Sequence, residues 1–179
     1  MGLEIERRFI VDGRNEMPWR SGKSLDIFQC YLSGVAHGEG VLSWRGHTLT
    51  EEERVLENIT TWRIRLQDGV VYLTAKGVRV NATASEFEWE ISKELFESLP
   101  LGELPSITKT RYLWGGEDGL LWEVDEFDGE LAGLIIAEVE LESEKQEVAV
   151  PKWAGLELTN LRGWSNAALS RMIMDVKQP

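Results

Sequence analysis

The chain has 179 residues, enough for one domain with a substantial hydrophobic core. Its 31 acidic against 19 basic residues leave a formal net charge of −12, which argues against a general nucleic-acid or anionic-membrane surface but allows a local basic pocket. The single cysteine, Cys30, excludes an intrachain disulfide and a Cys-based zinc cluster, and no apolar run approaches a membrane span. The opening MGLEIERRFIV lacks a signal-peptide layout, so a cytoplasmic protein is expected.

Alternation with period two recurs along the chain. It predicts eight strands, at about 3–11, 27–33, 62–67, 70–76, 85–91, 107–113, 120–127 and 134–142. In the first, Glu4, Glu6 and Arg8 alternate with Leu3, Ile5 and Phe9. Residues 34–61 read as a long loop or insertion, in which Thr50 to Leu56 have the look of a short acidic helix and His37 and His47 of solvent-exposed residues. Arg63 and Arg65 then alternate with Trp62, Ile64 and Leu66, and Gln67-Asp68-Gly69 reads as a hairpin turn into the strand of Tyr72, Thr74 and Lys76. Glu86, Glu88 and Glu90 oppose Phe87, Trp89 and Ile91. Ser92 is a candidate N-cap for a short helix ending before Pro100. Lys109 and Arg111 share a face, as do Glu123 and Asp125, and Glu138 and Glu140. A helix from Asn166 to Val176 closes the pattern.

Each strand thus carries a comb of one chemical kind on its polar face. Side chains two apart on a strand lie roughly 7 Å apart on one face, where like charges repel unless opposite charge intervenes. A solvated one-sided sheet explains any one comb. Seven combs of segregated sign fit better around a common lumen, in an α+β, mainly β protein built as an eight-stranded antiparallel barrel with a few flanking helices. Carboxylates on one wall would hold a metal, and Arg and Lys on another would hold phosphate oxygens. The tryptophans suit core packing. Trp44 is placed over a tunnel mouth, and Trp153 and Trp164 against the barrel beneath the C-terminal segment.

These segments resemble the CYTH superfamily, also called triphosphate tunnel metalloenzymes. Glu4-Ile5-Glu6-Arg7-Arg8-Phe9 resembles its Glu-x-Glu-x-Lys signature. Gln29-Cys30-Tyr31-Leu32, Trp62-Arg63-Ile64-Arg65, Tyr72-Leu73-Thr74-Ala75-Lys76-Gly77 and Glu86-Phe87-Glu88 follow in the family's order. So do Lys109-Thr110-Arg111-Tyr112, Glu123-Val124-Asp125, Glu138-Val139-Glu140 and Asn166-Ala167-Ala168-Leu169. The resemblance covers nearly all of residues 1–179 as a single CYTH-like domain, with 34–61 the gap.

The resemblance implies an eight-stranded tunnel open at both ends. It implies that Glu4, Glu6, Asp125, Glu138 and Glu140 bind Mg²⁺ or Mn²⁺, hard cations suited to carboxylate oxygens. It gives Arg63, Arg65, Lys76 and Arg111 to the triphosphate, with Lys109 assisting and Glu86 and Glu88 orienting the basic residues or completing the metal wall. The partner is a triphosphate-containing small molecule, and the assembly a monomer or homodimer. Arg8 departs from the family lysine, which pairs with the tyrosine matching Tyr31 to activate water. Arginine stays protonated, so Arg8 reads as a further phosphate clamp, with water positioned by the metal or by Lys76. The expected activity is metal-dependent hydrolysis of inorganic tripolyphosphate or an organic triphosphate. A class IV-type adenylyl cyclase, a noncatalytic polyphosphate- or nucleotide-binding module and a plain structural barrel are the rival readings.

Overall fold

The computed structural model describes residues 2–177. In chain order the strands are β1 (Gly2–Val11), β2 (Lys23–Leu32), β3 (Ala36–Gly38), β4 (Val41–Trp44), β5 (His47–Glu51), β6 (Ile59–Gln67), β7 (Val70–Gly77) and β8 (Thr83–Ile91). After helix α1 (Lys93–Ser98) come β9 (Ser106–Gly115), β10 (Leu121–Phe127), β11 (Ile135–Glu140), β12 (Ala154–Glu157) and helix α2 (Asn166–Lys177).

Eight strands run antiparallel around a ring in the order β1-β8-β7-β6-β2-β9-β10-β11, and β11 pairs back onto β1. Closure removes the exposed edges that an open sheet of this size would present. The eight strands expected from alternation are these eight. Strand β1 divides its edges: residues Gly2 to Ile5 pair with β8, Glu6 to Ile10 pair with β11, and Phe9 and Val11 pair with the added strand β12. The β6–β7 hairpin turns at Asp68 and Gly69, both at positive φ (49° and 80°), the backbone that matches the right-handed strand twist.

The outward faces are covered in two main places. Cys30, Ile64, Val71, Leu73 and Ile91 pack beneath the small sheet and α1. Phe9, Trp122, Val124, Ala137 and Val139 pack with Trp19 and with Trp153, whose ring also meets Trp114. A third cluster lies at the barrel end where Ile107, Phe127 and Ile136 meet Leu158 and Leu169, with Trp164 against them. That end is therefore partly filled by the C-terminal segment.

Residues 34–61 differ from expectation. Thr50 to Leu56 form no helix: β3, β4 and β5 make a three-stranded antiparallel sheet, and Thr50 lies in β5. Its two turns, Glu39-Gly40 and Arg45-Gly46, have paired positive φ values (53° and 75°, 48° and 83°), so the chain doubles back twice within the stretch read as loop and carries Thr50 into an extended strand. Trp44 is buried at 1% exposure with Leu42 and Leu49, and its Nε1 donates to Ser33 O at 2.9 Å, so it is core and not a mouth cover. Glu52 fastens this insertion: it accepts from Trp89 Nε1 at 2.8 Å and from Arg54 Nη2 at 2.6 Å. His37 is exposed, as expected, whereas His47, in β5, is half-buried. Among the described residues no helix is long and apolar enough to cross a membrane.

Candidate active site

Because alternation puts every second residue inward, the combs meet within the ring. They surround a cavity of about 1070 Å³. Glu4, Glu6, Arg8, Tyr31, Arg63, Arg65, Lys76, Glu86, Glu88, Arg111, Glu138 and Glu140 all line it. Asp125 and Lys109 do not. They lie behind Arg111, at 0% and 2% exposure, paired with each other.

The acidic wall is built where β1, β8 and β11 adjoin. Glu6 stands opposite Glu140 and Arg8 opposite Glu138 across the β1–β11 pair. Arg8 Nε donates to Glu138 Oε1 at 2.8 Å, and Arg8 Nη1 donates to Trp164 O at 3.0 Å. Lys76 Nζ donates to both Glu4 oxygens, at 2.9 and 2.8 Å, and lies 2.9 Å from Glu86 Oε2, an ion-pair approach not aligned as a hydrogen bond. Arg111 is gripped from three sides: Nε and Nη2 donate to Asp125 at 2.7 and 2.8 Å, Nη2 reaches Glu138 Oε2 at 3.0 Å, and Nη1 contacts Glu123.

The basic wall comes from β6. Arg63 Nη2 donates to Thr74 Oγ1 at 3.1 Å, and Arg65 Nη2 donates to Glu88 Oε2 at 3.0 Å. Arg63 Nε, Arg65 Nε and Arg8 Nη2 are buried without a hydrogen-bond partner among the described residues. Tyr31 OH accepts from Gln29 Nε2 at 2.6 Å.

Burial and charge set the protonation states. Burial weakens the Arg8 charge, but Glu138 and Glu6 outweigh it and keep the guanidinium above its ordinary pKa. Lys76 is likewise raised: burial acts against its charge and Glu4 overcomes it. Burial pushes Tyr31 up to about 12, with Arg63 and Lys76 pulling the other way. Burial raises Glu138 too, yet Arg8, Arg111, Lys109 and Lys76 hold it well below the usual carboxylate range. Glu6 and Glu140 are raised by burial and by neighbouring carboxylates.

Among the described residues no three carboxylates converge on one point: Glu4, Glu6 and Glu138 are each drawn to a neighbouring cation, and Glu140 pairs with none. The donor set nevertheless fits a hard divalent ion. Glu4, Glu6, Glu138 and Glu140 share one wall, and beyond burial neighbouring carboxylates also raise Glu6 and Glu140, a repulsion that such an ion would relieve.

A family model described as "CYTH domain" matches residues 49–170. The chain belongs to the CYTH family. It is 35% identical over 173 residues to an inorganic triphosphatase of Acetivibrio thermocellus, covering 94% of each chain. An inorganic triphosphatase of Nitrosomonas europaea is 36% identical over 114 residues, covering 62% of this chain and 75% of that one. The crystal structure of an inorganic triphosphatase superposes with a TM-score of 0.59 at 28% identity, covering 95% of both chains.

Glu123 and Arg79 are among the cavity residues of this CYTH domain that were missing from the sequence assignments. Glu123 lines the cavity and contacts Arg111, and its shared face with Asp125 was the available signal. Arg79 sits in the β7–β8 connection, outside any alternating pattern, and its Nη2 donates to Glu6 Oε1 at 2.6 Å and Glu4 Oε2 at 3.1 Å. No strand periodicity marks a residue delivered by a loop.

Proposed function

We propose that this CYTH protein is a metal-dependent triphosphatase acting on inorganic tripolyphosphate within its barrel. One observation carries the reading. Three arginines around the cavity, Arg8, Arg63 and Arg65, each keep a buried donor without a partner. Buried donors are ordinarily satisfied, and a polyanion threaded between them would supply the missing acceptors. The two relatives named as inorganic triphosphatases support the same substrate class.

In this reading Arg63 and Arg65 bind phosphate oxygens from β6, Arg111 from β9 and Arg8 from β1. Asp125 and Lys109 act from behind, holding Arg111 at a fixed angle, as the 2.7 and 2.8 Å bonds to Asp125 require. Glu88 steadies Arg65, and Glu86 adds charge beside Lys76. Glu4, Glu6, Glu138 and Glu140 would hold Mg²⁺ or Mn²⁺. When bound, that ion neutralises phosphate charge and lowers the pKa of the attacking water. Positioning and electrostatic stabilisation are the main demands of phosphoryl transfer, and the two walls supply both.

Neither Arg8 nor Lys76 is suited to accept a proton, because carboxylates keep both cationic. Tyr31 keeps its phenolic proton at neutral pH. These three therefore orient and donate.

A phosphate-release panel with Mg²⁺ and Mn²⁺, comparing inorganic tripolyphosphate, thiamine triphosphate and ATP, tests the proposal. Tripolyphosphate is expected to be the preferred substrate. Cyclic AMP formation from ATP would identify a cyclase instead, and tight triphosphate binding without release a binding module.

A further inference from the structure

Arg79 has a placement that the barrel alone does not require. It lies between Val78 and Val80, which are 51% and 64% exposed, on a connection pinned by the Val80–Thr83 bridge. The connection turns at Asn81, at positive φ of 55°. The side chain leaves this loop and enters the cavity. Its Nη1 donates to Ala82 O at 2.7 Å, and the carbonyl of Ala82 also accepts from the Glu6 backbone at 3.1 Å. Its Nη2 bridges Glu6 and Glu4, at 2.6 and 3.1 Å. A positive group thus occupies the space between two carboxylates of the acidic wall.

We infer that Arg79 is a placeholder cation, bridging Glu4 and Glu6 until a divalent ion takes them and then turning its guanidinium toward the incoming polyanion. The inference rests on the proposed metal wall. The side chain suits the role, since at 28% exposure it can turn without repacking the core. Arginine also suits both partners, because its planar fork matches carboxylate and phosphate alike. Metal competes with Arg79 for both carboxylates and with Lys76 for Glu4, so the free enzyme binds metal weakly; Arg79 is the cation that spans the two. Triphosphate, by giving Arg79 another partner, strengthens metal binding. Reciprocity then requires metal to strengthen triphosphate binding by the same factor.

The test is calorimetric titration of Mn²⁺ into the 179-residue chain without substrate, for wild type, Arg79→Gln, Arg79→Lys and Glu4→Gln. Removing the competing guanidinium is expected to tighten Mn²⁺ binding about tenfold in Arg79→Gln, the scale of one charge-assisted hydrogen bond. Arg79→Lys falls between the two, and the gain in Mn²⁺ affinity from added tripolyphosphate shrinks in Arg79→Gln. Equal or weaker Mn²⁺ binding in Arg79→Gln, with Glu4→Gln still impaired, overturns the placeholder role and leaves the metal wall standing. Mn²⁺ affinity indifferent to Glu4→Gln overturns the wall and the placeholder together.

Discussion

Arg8 and Glu138 face each other across the β1–β11 pair, joined by a 2.8 Å hydrogen bond from Nε to Oε1, with both side chains about nine-tenths buried. The same guanidinium reaches Trp164 O at 3.0 Å, so one side chain ties the first strand, the acidic wall and the segment leading into α2. Removing one member of a buried pair leaves an uncompensated charge, at a cost of about 3–5 kcal/mol. Arg8→Met is therefore expected to lower the unfolding free energy by about 3 kcal/mol, with Arg8→Met/Glu138→Gln recovering part of the loss. Urea unfolding of the double-mutant cycle measures this. Purely additive losses would mean the pair is not coupled.

Arg8→Lys keeps the charge but has a single ammonium to serve Glu138, Trp164 O and phosphate. It is expected to lower kcat/KM for tripolyphosphate, with Arg8→Met lowering it further. A sharp rise in turnover for Arg8→Lys would mean that the arginine handicaps water activation.

The depressed Glu138 pKa sets an acid dependence. The folded state binds fewer protons at this carboxyl than the unfolded chain, so its stabilisation is full above the ordinary carboxylate pKa and fades as pH falls. Glu138→Gln should lower the urea midpoint most at about pH 7 and less at about pH 3, part-way down the window in which the stabilisation is lost. Equal losses at both would contradict the depressed pKa.

Tyr31 has the opposite sign at the alkaline end. With its pKa pushed from 10.0 up to about 12, the folded state retains a proton that the unfolded chain gives up, and stability falls as pH rises through that window. Tyr31→Phe should show a shallower alkaline loss. Its pH–rate profile below about pH 10 should keep the wild-type shape, because the phenol does not titrate there.

The Glu52 anchor can be tested apart from the cavity. Glu52→Ala strands Trp89 Nε1 and frees Arg54, at a cost of about 1–3 kcal/mol. Hydrogen exchange in residues 36–51 is expected to quicken while the amides of β6 and β7 stay protected. Unchanged protection of 36–51 would show that apolar packing alone holds the small sheet.

The barrel strands were legible because lumen and outer face differ in chemistry at every step, as in Glu4, Glu6 and Arg8 against Ile5 and Phe9. Register and closure then follow from pairing, and most of the cavity wall follows from the combs. What escaped was encoded without periodicity. The Glu39-Gly40 and Arg45-Gly46 turns adopt left-handed backbone at a glutamate and an arginine, residues that mark no turn by composition. Alternation placed Asp125 and Lys109 inward correctly, but not at what depth: Arg111 stands between them and the cavity. Arg79 arrives from a loop, and only the folded ring brings it beside Glu4 and Glu6.

The central claim is that the acidic wall carries the metal on which triphosphate cleavage depends. Phosphate release from inorganic tripolyphosphate, followed across a Mn²⁺ titration for wild type and Glu4→Gln with circular dichroism on both, tests it most directly. The account predicts metal-dependent release by wild type and its loss in a fully folded Glu4→Gln. Undiminished release by Glu4→Gln at every Mn²⁺ concentration would contradict it.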